Sequence, residues 1–132
     1  MQLSVVIPAY NEELYLPETL TRVTKALAVA GWPSEIVVVD NDSYDSTRAI
    51  SESFGARVVF EREHNISRVR NTGAAHAMGD VLIFVDADTL VPELLFERIG
   101  GVMEDEKCFG GCLLFAVCCS LFAGHWPLTT DH

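Results

Sequence analysis

Two aspartates separated by one residue, Asp86 and Asp88, are the side chains of this sequence best suited to chemistry. They directly follow the apolar run 81–85, and Thr89 follows them. Such a run is typical of a buried central strand, and ligands of open α/β sheets bind beyond the carboxyl ends of the strands. One carboxylate could hold a hard divalent cation while the other binds a sugar hydroxyl. An Asp in this position often only caps the next helix, but two acids and a threonine favour a functional site.

A second strand pattern, residues 35–40, also ends in a carboxylate, Asp40. Farther along, Arg70 and Asn71 lie early in a segment of small residues that is compatible with a helix. Arg70 could therefore reach the same edge of a sheet as Asp40 and Asp86. The alternative is a surface charge paired with a neighbouring acid, and its position in the sequence leaves both interpretations open.

Alternating strand and helix patterns must position these side chains. Apolar runs predict strands over residues 3–7, 35–40, 57–60 and 81–85. Helical spacing and stop signals predict helices over 17–30 before Gly31, 46–54 before Gly55, 67–78 before Gly79, and 92–103. This order predicts an α/β fold with a mostly parallel sheet and helices on both faces.

Composition narrows the class of protein. The 132 residues are the size of one domain, and the formal net charge of −10 argues against a nucleic-acid partner. Met1 leads into a strand pattern without a basic leader, so we expect a cytoplasmic protein. All four cysteines follow residue 107, at spacings that match no standard disulfide or zinc framework. We therefore divide the chain into a main region, residues 1–106, and an apolar, cysteine-rich tail, residues 107–132.

Four segments together carry a resemblance to a known family. They are SVVIPAYNEE at 4–13, IVVVDNDSYDST at 36–47, RNTGA at 70–74 and IFVDADT at 83–89. In this order they resemble the nucleotide-binding half of family 2 glycosyltransferases, which are inverting enzymes of the GT-A fold. The resemblance covers residues 1 to about 106 and implies a Rossmann-like domain that binds a nucleotide-sugar donor, expected to be a UDP-sugar.

The resemblance also implies roles for individual residues. The first loop would line the nucleotide pocket, Asp40 would accept a hydrogen bond from the uracil N3–H, Arg70 would lie against the nucleotide, and Asp86 would bind near the ribose. Asp88 would hold Mg²⁺ or Mn²⁺ against the diphosphate, where the cation stabilises the charge of the departing group. The residues that the resemblance assigns to the pocket of the first loop are Pro8, Ala9, Tyr10 and Glu12.

The tail departs from the family pattern. An inverting transferase needs a general base for the acceptor hydroxyl, and the family supplies a carboxylate well beyond the second aspartate. Asp131 is the sole acid after Glu106 and is a poor candidate, so the base and the acceptor stay unassigned. Relative to the family pattern, we interpret the tail as a truncated or altered C-terminus. We expect its apolar strand to pack on the sheet or on a second copy, as a homo-oligomer, in preference to membrane association.

Two other functions remain open at this stage. An apolar strand before Asp86-Ala87-Asp88-Thr89 also fits the first motif of haloacid-dehalogenase-like phosphatases, in which the first Asp attacks phosphorus and the second acts as acid and base. That motif normally opens its domain, whereas three strand and helix units precede it here. The other alternative is a catalytically incomplete module that binds a sugar nucleotide without transferring the sugar.

Overall fold

The computed structural model describes residues 2–103, 110–114 and 118–123, and within them the chain forms six strands and four helices. The strands are β1 (Leu3–Ala9), β2 (Ser34–Asp40), β3 (Arg57–Phe60), β4 (Val81–Val85), β5 (Gly110–Leu114) and β6 (Cys118–Ala123). The helices are α1 (Leu16–Ala30), α2 (Thr47–Ser53), α3 (Ile66–His76) and α4 (Leu95–Met103).

The described strands form one sheet in the order β3-β2-β1-β4-β6-β5. The first four strands in this order are parallel, whereas β6 runs antiparallel to both β4 and β5. The β4 strand, which leads to the two aspartates, lies in the interior of the sheet, and each of its residues is buried. The prediction of a mostly parallel sheet is confirmed.

Helices cover both faces of the sheet. Alternate side chains of a strand point to opposite faces, and those on the face of Ile7 pack with α1 and α4, including the fully buried Phe96. Those on the face of Val6 pack with α3 through Val69. Truncating a side chain as buried as Phe96 to alanine typically costs about 3–5 kcal/mol. The predicted placement of helices on both faces is therefore confirmed.

The predicted ends of two helices are confirmed by the backbone. Gly31 and Gly55 have φ angles of 74° and 78°, in the left-handed region that glycine adopts without a steric penalty. The Gly31 N–H donates to the Leu27 carbonyl across 3.1 Å and closes α1.

Two other boundaries differ from the prediction. The α4 helix begins at Leu95, not at Pro92, because the Leu95 N–H donates to the Pro92 carbonyl (3.1 Å) and closes a separate turn. The α3 helix ends at His76, short of Gly79. Here the Met78 N–H donates to the Glu35 carboxylate of β2, which draws the backbone out of the helix.

The tail contributes strands to the same sheet. The β5 strand pairs with β6, and β6 pairs with β4, as expected for an apolar strand packed on the sheet. The boundary predicted at residue 106, as well as Asp131, lies outside the described residues. In the part of the chain that the structure describes, no helix has the length and apolar content needed to cross a membrane.

Candidate functional site

The strand register brings the predicted site residues to one edge of the sheet. Ala9 is the register partner of Asp40, and Phe84 pairs with Val6, so β1, β2 and β4 all end at this edge. The chain runs outward from β1 to β2 and β3 and then returns to the other side of β1 as β4. The crevice between β1 and β4 is thus the point where strand order reverses, which is the usual ligand position in open α/β sheets.

A cavity of about 270 Å³ opens beside the end of β1. Tyr10 is 44% exposed, and its ring meets the His64 ring edge to face, with 4.5 Å between the centroids and an angle of 85° between the planes. Tyr44 contacts Tyr10 in a similar way at 6.4 Å. Aromatic groups of this kind offer faces on which a planar ligand can stack. The residues that line the cavity are Pro8, Ala9, Tyr10, Glu12, Asn41, His64, Ile66 and Val69.

Two loops at this edge are bound to each other. Because β1 extends through Pro8 and Ala9, which we expected in the loop, we call residues 10–15 the first loop and residues 41–46 the second loop. The Glu12 N–H donates to Thr47 Oγ1 (2.9 Å), the Glu13 N–H to Asp45 Oδ2 (3.2 Å), and the Ser46 N–H to Glu13 Oε2 (3.0 Å). Burial raises the pKa of Asp45, but hydrogen bonds from the hydroxyl and N–H of Thr47 and from the Glu13 N–H outweigh it and leave that pKa lowered. The backbone position of Glu12 is therefore well determined.

Asp40 borders the cavity but is not among its lining residues. Its side chain is only 5% exposed, and Oδ1 accepts a hydrogen bond from the Ser43 N–H across 3.0 Å. Its carbonyl accepts from the Glu61 N–H, also across 3.0 Å, so Asp40 joins the second loop to the end of β3. Its neighbours Ala9 and Asn41 form the adjoining wall.

The acidic turn, residues 86–89, follows β4 and gathers negative charge with the first loop. Asp86 is half-buried, whereas Asp88 is exposed. Burial raises the pKa of Glu12, and the carboxylates of Asp88, Asp45 and Asp86 raise it further. Burial also raises the pKa of Asp86. The positive charge of Arg70 offsets part of this rise, and the carboxylate of Asp88 adds to it. Glu12, Asp86 and Asp88 thus form one electrostatic group of like charges.

Arg70 supplies positive charge to this group. Its guanidinium carbon lies 5.8 Å from the centroid of the Phe84 ring, and its charge partly offsets the rise in the pKa of Asp86 that burial causes. Its Nε is buried and has no hydrogen-bond partner within the described residues. Arg70 therefore lies at the edge that holds Asp86, as expected. The acid that Arg70 faces, Asp86, is itself a predicted site residue. Arg70 can therefore pair with a neighbouring acid and also belong to the site.

Several polar residues that organise this edge had no predicted role. Thr47 accepts from the Glu12 N–H, His64 lines the cavity, and Thr19 of α1 donates to the Ala87 carbonyl within the acidic turn. Only Thr47 had a signal in the sequence, since Asp45 two residues earlier is typical of a side chain that caps a helix start. The other two contacts join segments that are distant in sequence.

A cation at this edge would have to draw ligands from outside the protein. In residues 2–103, 110–114 and 118–123, no group of three or more His, Cys, Asp or Glu side chains could hold a metal ion. Exposed Asp88 and half-buried Asp86 nevertheless present carboxylate oxygens, the donors that Mg²⁺ and Mn²⁺ prefer. The donor set fits a cation that completes its coordination with phosphate oxygens.

A mostly parallel sheet with helices on both faces and polar groups at its carboxyl edge is the architecture of GT-A glycosyltransferases, and solved members of that class superpose on this chain. The sequence matches the model for Glycosyl transferase family 2 over residues 4–121. The chain belongs to that family. The similar proteins of known activity are glycosyltransferases, so the phosphatase alternative has no further support.

One related sequence is the undecaprenyl-phosphate 4-deoxy-4-formamido-L-arabinose transferase of Shewanella sediminis, which is 34% identical over 96 residues. The alignment covers 67% of this chain and 29% of the transferase. This chain thus spans about three tenths of the length of the first relatives it matches.

Two similar crystal structures contain ligands. TarS of S. aureus (residues 1–349) in complex with UDP superposes with a TM-score of 0.71 at 27% identity, covering 83% of this chain and 34% of that one. Glucosyl-3-phosphoglycerate synthase of Mycobacterium tuberculosis, in complex with Mn²⁺, UDP and glucosyl-3-phosphoglycerate, gives a TM-score of 0.67 at 27% identity. That alignment covers 80% of this chain and 40% of the synthase.

Proposed function

We propose that this chain binds a UDP-sugar and a divalent cation at the carboxyl edge of its sheet, as the donor-binding part of a transferase that delivers the sugar to an acceptor hydroxyl. One observation carries the proposal: Glu12, Asp86 and Asp88 gather at the crevice between β1 and β4, with Arg70 beside them. The UDP complexes of TarS and of the synthase, which share this fold, support the choice of nucleotide.

The base and ribose would bind along the walls beside β1. Pro8, Ala9 and Tyr10 would line the nucleotide pocket, and the exposed ring of Tyr10 offers a face for stacking. Asp40 would accept the uracil N3–H, and its hydrogen bond from Ser43 holds the carboxylate in place for that contact. Asp86 would accept a hydrogen bond from the ribose.

The diphosphate would lie over the acidic turn, with Arg70 against the nucleotide. Asp88 is the exposed carboxylate of that turn and would hold Mg²⁺ or Mn²⁺ against the phosphate oxygens. The bound cation would stabilise the charge that develops on the departing nucleoside diphosphate. Glu12 and Asp86 would add negative potential around it. Burial is the main cause of their raised pKa values, and nearby carboxylates add to the rise. A bound cation would relieve the repulsion among these carboxylates, so the residues present are compatible with a cation site.

The acceptor and the general base are not assigned. Beyond Asp88, the described residues contain two acids, and both are exposed. Glu93 precedes α4, and Glu97 lies within it. A donor-hydrolysis assay tests whether the chain alone has a complete donor site. Such a site, with access to water, would hydrolyse the UDP-sugar slowly. A module that only binds the donor would release no sugar.

Calorimetric titration tests the proposal. We expect UDP to bind in the presence of Mn²⁺, more weakly without it, and GDP to bind more weakly under both conditions. Asp88→Ala should abolish the metal-dependent part of UDP binding while circular dichroism shows an unchanged fold, because Asp88 is exposed. Glu97→Ala removes an equal charge from the exposed surface of α4 and should bind as the wild type does. No UDP binding by the folded wild type would overturn the proposal.

A further inference from the structure

The hydroxyl of Thr19 makes a buried contact across the crevice. Thr19 lies in the first turns of α1, is 0% exposed, and its Oγ1 donates to the carbonyl oxygen of Ala87 across 2.6 Å. The same oxygen lies 3.1 Å from the Tyr15 carbonyl of its own helix. Because a threonine hydroxyl has one proton, the shorter contact, to a residue 68 positions away, is the stronger of the two.

The carbonyl that Thr19 holds belongs to the residue between the two aspartates. Ala87 is buried, and the turn around it is closed by a hydrogen bond from the Thr89 N–H to the Asp86 carbonyl (3.1 Å). Leaving a buried carbonyl without a donor is unfavourable. The orientation of the peptide group between Ala87 and Asp88 therefore depends on a side chain of α1.

The start of α1 also holds the first loop. The Glu12 carbonyl accepts from the N–H groups of Tyr15 (3.1 Å) and Leu16 (2.9 Å), so Glu12 is joined to the helix one turn before Thr19. The first turn of α1 thus connects the backbone of Glu12 with the peptide group between Ala87 and Asp88.

We propose that Thr19 is a positioning residue for the donor site, whose hydroxyl sets the orientation of the acidic turn relative to the first loop. This inference rests on the proposed function, because the acidic turn matters here as the site for the cation and the diphosphate. Because Thr19 is fully buried, it would act on the cation and the nucleotide through the acidic turn and not by direct contact.

Two substitutions at Thr19 separate the hydroxyl from the volume of the side chain. Thr19→Val keeps the shape and removes the donor, whereas Thr19→Ser keeps the donor. We expect Thr19→Val to weaken Mn²⁺ binding, measured calorimetrically at saturating UDP, by about tenfold, the equivalent of a net hydrogen bond of about 1.4 kcal/mol. Thr19→Ser should lie within about threefold of the wild type. If Thr19→Val does not fold, Thr19→Cys, a weak donor of similar size, replaces it with the same direction of change.

Two control variants exclude a general weakening of the helices. Thr21→Val removes a similar hydroxyl from the same helix, where Oγ1 donates to the Pro17 carbonyl (2.7 Å). Ser51→Ala removes a buried hydroxyl from α2 that donates to the Thr47 carbonyl (2.8 Å). Both should lower thermal stability slightly and leave Mn²⁺ affinity unchanged.

The outcomes distinguish the inference from the proposed function. Wild-type Mn²⁺ affinity in Thr19→Val, or an equal loss in Thr21→Val or Ser51→Ala, would overturn the role of Thr19 while the donor site stands. No UDP binding by the folded wild type would overturn the donor site and this role together.

Discussion

The side-chain oxygen of Asn11 accepts a hydrogen bond from the backbone N–H of Tyr44 across 3.0 Å. In return, the Asn11 N–H donates to Ser43 Oγ, also across 3.0 Å. Asn11 has a φ of 51°, in the left-handed region where asparagine is among the best tolerated residues. One residue therefore joins the first loop to the second and supplies the sharp turn after β1.

Substitutions at Asn11 should separate its hydrogen bond from its backbone conformation. Asn11→Gly loses the bond to Tyr44 but keeps the backbone angle, so we expect a loss of about 1 kcal/mol in the free energy of unfolding. Asn11→Ala loses the same bond and places at this angle a residue that tolerates the left-handed region less well than asparagine, so the loss should be about 2 kcal/mol. Urea denaturation followed by circular dichroism measures both. Equal losses would show that the backbone angle contributes nothing.

Asp42 is the matched control for this pair. Its φ is 61°, it is exposed, and the structure shows no hydrogen bond for its side chain within the described residues. Asp42→Gly should therefore be neutral or stabilising by up to about 1 kcal/mol.

Asp40→Asn should weaken UDP binding without unfolding the chain. Asparagine keeps an oxygen to accept the Ser43 N–H, so the contact with the second loop survives. It loses the negative charge proposed to accept the uracil N3–H, and hydrogen bonds to charged groups contribute about 1.5–3 kcal/mol. We expect UDP affinity to fall by about 10- to 100-fold in calorimetry with Mn²⁺ present. Unchanged affinity with a folded variant would remove Asp40 from base recognition.

Glu12→Gln and Asp86→Asn should stabilise the ligand-free chain at neutral pH. Burial and neighbouring carboxylates raise the folded-state pKa of both groups above the ordinary values of 4.5 and 3.8. A raised pKa means that their contribution to stability is complete below the ordinary value and is lost as pH rises through the folded-state pKa. The amide variants do not ionise, so they do not lose stability in this way as pH rises. Thermal unfolding measured from about pH 4 to about pH 8 should therefore give higher melting temperatures for the variants than for the wild type toward neutral pH. A lower melting temperature for both at neutral pH would contradict this sign.

Asp45→Asn provides a control of opposite sign. The pKa of Asp45 is lowered in the fold, so its contribution is present above the ordinary value of 3.8 and is lost as pH falls through the folded-state pKa. This variant should therefore be less stable than the wild type at neutral pH, and the difference should shrink in acid.

Gly73→Ala should destabilise the fold because α3 lies directly against the sheet. A Cβ at Gly73 would lie 2.3 Å from Val6 Cγ1 and 2.8 Å from Val39 Cγ2, and both valines are fully buried. We expect a loss of about 1–3 kcal/mol in urea denaturation. Gly101→Ala is the matched control, since a Cβ there meets nothing within 4 Å and helix propensity favours alanine by up to about 1 kcal/mol. A gain in both variants would show that α3 can move away at no cost.

Much of the fold could be predicted because its signals are local. The apolar run before Asp86, the polar residues after Asp40, and the glycines at 31 and 55 each report on a few neighbouring residues, and the structure has strands, loops and helix ends there. The start of α4 and the end of α3 were misplaced, and for α3 the reason is tertiary, since Glu35 captures the Met78 N–H from another strand.

Local sequence patterns specify which residues end strands in a parallel sheet, and hence that Asp40, Asp86 and the first loop meet at one edge. This follows from side-chain periodicity and backbone preference, which depend on near neighbours. Strand order and packing, by contrast, place β4 beside β1, bring Thr19 to the Ala87 carbonyl and let Asn11 join the two loops. These contacts join residues 32 to 78 positions apart, as in Asn11–Ser43 and Gln2–Asp80, and depend on strand order and packing that no short pattern specifies.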